Sequence, residues 1–204
     1  MGRTFPHHMQ ESLRDLLSKR KRTSIGGKQL KHSAVLIPLF TKKGAYHLVF
    51  IRRGQEVEDH RGEISFPGGL CEKGDGGPDE TALREAFEEI GIHPHDVEVL
   101  GILDDIKTVS TRYRVTPVVG VIPFPYPFTI NTAEVDELVS IPLAHLLDEE
   151  NGGEASITRD GVTYTGYVYR YQDYVIWGAT ARILKNFFAV WTDLNRYRTG
   201  SFQS

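Results

Sequence analysis

Three carboxylates stand at a spacing that could do chemistry. Glu85, Glu88 and Glu89 are three and four residues apart, so on a helix they share one face. Like charges so placed repel and weaken the helix that carries them. Only Arg84 is adjacent to offset them. A divalent cation is the simplest compensation, because hard cations take carboxylate and carbonyl oxygens and commonly sit against phosphates. The competing reading is an ordinary solvated acidic face. The Gly68-Gly69 loop ahead of the acids weighs toward the cation, since glycine lets backbone come close to a bound group.

The helix itself is well marked. Pro78 suits a first helical turn and Gly91 suits a C-terminal stop. Leu83, Ala86, Phe87 and Ile90 gather opposite the acids and are the expected buried face.

The order of this segment resembles a known family. Residues 84–92, REAFEEIGI, are similar to the R-E-U-x-E-E-x-G-U core of the Nudix box, where U is apolar, and Gly69 resembles its opening glycine. The general box is G-x5-E-x7-R-E-U-x-E-E-x-G-U. Here the upstream acid is Asp75, and eight residues separate it from Arg84. The coenzyme A diphosphatase branch carries a similar Asp and a similar longer spacing. Two further segments resemble that branch. His60, Gly62, Ile64 and Phe66-Pro67-Gly68-Gly69 are in register with its L-R-x-H-x-G-x-V-x-F-P-G-G signature, whose Leu-Arg pair is not kept. Residues 176–181, IWGATA, are similar to its I-W-G-x-T-A segment. The resemblance covers roughly residues 33–190.

What the resemblance implies is an α/β/α sandwich, a mixed sheet between helices, with the box as loop–helix–loop. It implies Glu85 and Glu89 as principal ligands of Mg²⁺ (or Mn²⁺), with Glu88 and the Gly68 carbonyl beside them. Gly69, Asp75, Arg84 and Gly91 would hold the box together, Arg84 through an acid such as Asp75. Glu85, Glu134 and Glu137 are candidates for the general base, and the latter two for an extra metal ligand. Arg52, Arg53, His60 and Arg61 are candidate substrate contacts. The implied reaction is hydrolysis of a diphosphate, with coenzyme A or its derivatives giving 3′,5′-ADP and 4′-phosphopantetheine. ADP-ribose, dinucleotides or nucleoside triphosphates are alternative substrates, and a non-catalytic nucleotide-binding module is the alternative of another class.

The remaining chain must position these groups. At 204 residues, 40% apolar and 25% charged, it reads as one domain with additions. We expect an N-terminal helix and basic linker over 1–32, the Nudix unit over 33–195 and a tail over 196–204. The net charge of −3 gives no electrostatic case for nucleic acid. Cys71 is the only cysteine, so no intramolecular disulfide can form. With no membrane-length apolar run and no signal-peptide core, a cytoplasmic protein without membrane partners is expected.

Residues 1–10 read as frayed and 11–19 as a helix. The basic run 19–22 offers either a solvated helix end or a phosphate or acidic-surface contact. Strands are expected at 33–40, 45–52, 64–66, 97–103 and 114–122, with Thr116-Pro117 at an edge or bulge. Residues 131–143 read as a short acidic segment followed by a strand, which opens a short helix at 144–148. A tyrosine-rich hairpin turns about Asp160-Gly161. Residues 177–191 form the last helix.

Overall fold

The computed structural model describes residues 5–27, 29–54, 62–108, 112–159 and 161–200. In chain order the elements are α1 (Phe5–Lys19), β1 (Lys31–Lys42), β2 (Ala45–Arg53), β3 (Ile64–Ser65), β4 (Gly68–Leu70) and α2 (Pro78–Ile90). After them come β5 (Glu98–Ile102), β6 (Ile106–Lys107), β7 (Tyr113–Val121), β8 (Val135–Pro142) and α3 (Leu143–Leu147). The chain ends in β9 (Gly152–Arg159), β10 (Val162–Tyr171), β11 (Tyr174–Ile176) and α4 (Gly178–Gly200).

The main sheet is mixed. β1 runs parallel to β7 and antiparallel to β2 and β4. β8 and β3 flank β2, and β5 and β6 pair with β7. β9, β10 and β11 form a separate antiparallel sheet. Helices cover both faces, which is why β1 and β7 read as near-continuous apolar runs rather than alternating ones. Along β2 the side chains part by alternation: Leu48 and Phe50 enter the core shared with α1 and α4. Val49 and Ile51 enter the core under α2, with Ala34, Leu36, Ala82, Ala86 and Ile90. This is the expected α/β/α architecture with a small second sheet added.

Four details differ from expectation. α1 begins at Phe5, inside the stretch read as frayed, and its Leu13 and Leu17 bury against the α4 side of the sheet. α4 continues past residue 191 to Gly200. Pro117 lies inside β7, flanked by β1 on one side, and not at an edge. The opposite neighbour changes there from β5, paired at Val118, to β6, paired at Val115, so the missing N–H falls in a break between partners. The Pro117 carbonyl still accepts from Leu103 N–H at 2.9 Å.

The basic run is the fourth. Arg20 pairs with Asp104 and Arg22 with Asp105, so these cations tie the linker to the body. Asp160 lies outside the described residues; on either side of it Arg159 pairs with Val162. Among the described residues no helix is long and apolar enough to cross a membrane.

Candidate active site

Local chemistry builds the loop and helix first. Gly77 precedes α2 in extended backbone, Pro78 occupies the first turn, and Asp79 and Glu80 favour the positive end of the helix dipole. Gly91 closes α2 at φ 71°, and its N–H donates to the Phe87 carbonyl at 2.9 Å. Asp75 accepts from Glu72 N–H (2.9 Å), Thr81 Oγ1 (2.8 Å) and both Arg84 Nε (3.1 Å) and Nη2 (3.2 Å). The Arg84 guanidinium holds the Asp75 carboxyl well below the usual carboxylate range. Arg84 also donates to the Leu70 carbonyl (2.9 Å), Glu85 (2.9 Å) and Glu88 (3.1 Å). One guanidinium thus ties the loop to the helix and quiets two of the three acids.

Glu89 is different. Its residue is only 2% exposed, and burial pushes its carboxyl up to about 8. Gly68 N–H at 2.9 Å and Arg53 at 4.0 Å pull the other way, while Glu85 and Glu134 add to the rise. Burial also raises the Glu85 carboxyl against the pull of Arg84. The expected buried face therefore needs correction. Ala82, Ala86, Glu89 and Ile90 face the sheet, whereas Phe87 is 45% exposed and packs at a tilt on His93, 4.9 Å between centroids.

The glycines fit this closeness. A Cβ at Gly68, where φ is +156°, would collide with the Ala34 carbonyl and Val35 on β1. A Cβ at Gly69 would collide with the Glu85 carboxylate.

The structure separates the two later acids. The loop before β8 docks on the end of α2: Thr129 N–H donates to the Ile90 carbonyl (3.1 Å) and Asn131 N–H to the Glu89 carbonyl (2.9 Å). Those carbonyls lack helical partners, so the loop satisfies the helix end and brings Glu134 toward Glu85 and Glu89. Asn131 Nδ2 donates to Glu134 at 3.2 Å, and Gly54 N–H anchors its carbonyl at 2.8 Å. Glu137 instead accepts from Tyr174 OH (2.7 Å) and pairs with Arg52 (3.3 Å).

Arg52 and Arg53, neighbours on β2, part to opposite faces. Arg53 approaches Glu89, while Arg52 approaches Glu137 and Asp136. His60 and Arg61 lie outside the described residues. Sequence reasoning missed Asn131 and Tyr174: Asn131 docks on Glu89 through its backbone N–H and Tyr174 reaches Glu137 from the second sheet, and neither long-range contact leaves a spacing signal.

The family described as the NUDIX domain matches residues 30–161. The chain belongs to the Nudix family. The uncharacterized Nudix hydrolase NudL of Escherichia coli K12 is 36% identical over 178 residues, covering 85% of this chain and 92% of that protein. NudL of Shigella boydii serotype 18 matches to the same extent. A MutT/nudix family protein from Enterococcus faecalis shares the fold at TM-score 0.53 and 14% identity, over 93% of this chain and 75% of its own. The chain is accordingly a Nudix hydrolase acting on diphosphate bonds, in a family that generally depends on a divalent metal.

The donor set fits such a metal. Glu85, Glu88, Glu89 and Glu134 are hard oxygen donors, and Arg84 is already shared with Asp75. A carboxyl forced up to about 8 gains most from a cation brought beside it. Among the described residues no three of these groups stand together as a ready-made shell. Glu85 and Glu88 turn onto Arg84 and Glu89 onto Gly68 N–H, so binding must draw them off these partners.

Gly69→Ala probes this arrangement. The added methyl meets a movable carboxylate, so the fold should survive while Glu85 shifts. We expect kcat to fall about 100-fold, the scale of a 1 Å misplacement, with an unchanged circular-dichroism melt. Wild-type kcat in the variant would rule out the close fit of Gly69 to Glu85.

Proposed function

We propose that this Nudix enzyme cleaves the diphosphate of coenzyme A or a derivative, releasing 3′,5′-ADP and a 4′-phosphopantetheine product. One observation carries the reading. The two segments outside the box that resemble coenzyme A diphosphatases meet: Gly62, Glu63 and Ile64 share a cavity of about 630 Å³ with Trp177. That volume suits a ligand of nucleotide size or larger. Ile64 is four residues from Gly68, whose N–H holds Glu89.

In this reading Glu85 and Glu89 would hold Mg²⁺, Glu88 and the Gly68 carbonyl would complete the protein's share, and Mn²⁺ would be able to replace it. The metal supplies neutralisation of the diphosphate charge and acidity to a bound water. Glu134 would serve as the general base, accepting a proton from the attacking water. What supports Glu134 over Glu137 is its exposure beside Glu85 and Glu89, whereas Tyr174 and Arg52 already engage Glu137. Asp75 and Arg84 keep loop and helix in register. Burial around Glu89 keeps water from competing for its oxygens.

The test is chromatographic. Purified protein with Mg²⁺ receives coenzyme A, ADP-ribose, NADH and dGTP in parallel, with Glu89→Gln as control. We expect 3′,5′-ADP from coenzyme A at a rate at least about tenfold above the others, a gap worth about 1.4 kcal/mol, and its loss in the control. Preferential turnover of ADP-ribose or NADH would overturn the substrate and keep the chemistry.

A further inference from the structure

The cavity beside β3 has a cation that no motif marks. We propose that Arg170 receives a phosphomonoester carried by the substrate away from its diphosphate. In the coenzyme A reading, on which this inference rests, that group is the 3′-phosphate.

The two guanidiniums of β2 are spoken for. Arg53 lies on the α2 face against Glu89. Arg52 lines the cavity but is paired with Glu137 at 3.3 Å and lies 4.0 Å from Asp136. Arg170 lines the same cavity, and among the described residues its guanidinium makes no ion pair or hydrogen bond. Its backbone is nonetheless fixed. β10 pairs Arg170 with Val175 of β11, and His145 Nε2 donates to its carbonyl at 2.9 Å. A cation on a fixed strand that serves no structural partner is available to a ligand. Guanidinium matches phosphate in geometry as well as charge.

The rest of the wall fits a nucleotide. Trp177 lines the cavity and offers its indole to a purine, with its ring packed at a tilt against Tyr164 at 5.1 Å between centroids. Glu63 and Asp173 also reach the wall, so the cavity is no general anion sink. A phosphate gains there only close to Arg170.

The site also lies within reach of the chemistry. Ile64 and Phe66 pack in the α4-side core, yet Gly68 N–H meets Glu89 on the α2 side. The chain crosses the sheet rim in those four residues, at most about 14 Å even fully extended. A substrate with its diphosphate at Glu89 and its nucleotide in the cavity straddles the same rim.

The experiment compares coenzyme A with 3′-dephospho-coenzyme A in wild type, Arg170→Ala and Arg170→Lys. Wild type should favour coenzyme A in kcat/KM by about 10- to 100-fold, the worth of a charge-assisted contact. Arg170→Ala should bring that preference near unity by raising KM for coenzyme A rather than lowering kcat, and Arg170→Lys should restore part of it. Calorimetric titration with 3′,5′-ADP and 5′-AMP reads the same preference without turnover. If wild type turns over coenzyme A but Arg170→Ala keeps its preference, or loses both substrates equally, Arg170 is not the phosphate cation. If wild type turns over neither substrate, the coenzyme A reading fails. The titration then decides Arg170 alone: a 3′,5′-ADP preference lost in Arg170→Ala upholds it, and equal binding of both nucleotides overturns it.

Discussion

Exchanging Glu89 for glutamine should stabilise the metal-free protein at pH 8 while removing most of its activity. Burial lifts the Glu89 carboxyl from 4.5 to about 8. Between those values the folded chain holds a proton that the unfolded chain has released. Stability therefore falls as pH rises from about 4.5 to 8, and the loss is complete above that window. At about 1.4 kcal/mol per pH unit the full effect is a few kcal/mol. Glutamine keeps an oxygen for Gly68 N–H and carries no charge to desolvate. In EDTA at pH 8 the variant should melt roughly 5 °C above wild type, and at pH 4 the two should nearly coincide. Saturating divalent metal should raise wild type far more than the variant. Losing one group that stabilises charge at a reacting centre typically costs about 10²- to 10³-fold in kcat, and we expect at least that here. A variant that melts below wild type at pH 8 without metal would mean that Glu89 is stabilising as a charge, and the reasoning from burial would fail.

That Glu89 is buried was within reach of the sequence, but hydropathy misdirected it. At 100° per residue Glu89 falls within about 20° of Ala82, while Phe87 lies far round the helix. Ala82 and Ala86 are small enough to bring α2 close to the sheet, so the buried arc follows them and takes in an acid. Phe87 is left outside with His93. The box itself was legible because its logic is local: a glycine loop, an Asp75–Arg84 tie and a capped helix lie within a short stretch. Glu134 and Glu137 could not be told apart by spacing. Their difference comes from Thr129 and Asn131 docking on the end of α2, and from Tyr174 approaching from the second sheet. Arg170 carries no sequence signal, because a lone arginine in a strand resembles any solvated one until the fold places it on a cavity wall. Pro117 misled for a similar reason: the break between β5 and β6 that accommodates it is made by two other strands.

The second large effect is on stability alone. Asp105, with its side chain fully buried, gathers the basic linker. It accepts from Arg22, from Ser24 Oγ (3.1 Å) and Ile25 N–H (2.8 Å), and from Thr116 Oγ1 on β7 (2.7 Å). Beside it Asp104 takes Arg20 and Thr23 N–H. Asp105→Ala leaves several donors facing an empty site, and breaking such a buried pair costs about 3–5 kcal/mol. Asp105→Asn should cost less, since one oxygen can still accept. Burial alone would raise the Asp105 carboxyl, but Thr116, the Ile25 N–H and Arg22 more than reverse this and hold it below its ordinary 3.8. Its contribution is therefore complete above that ordinary value and is lost as pH falls through the lower folded one. Urea midpoints should separate wild type from Asp105→Ala widely at pH 7 and draw together at acid pH. A gap under about 0.5 kcal/mol at pH 7 would reduce the cluster to an exposed ion pair. Arg22→Gln distinguishes this from the phosphate contact that the basic run also suggested. Because Asp105 already engages Arg22, the variant should lower the urea midpoint and leave KM where it was.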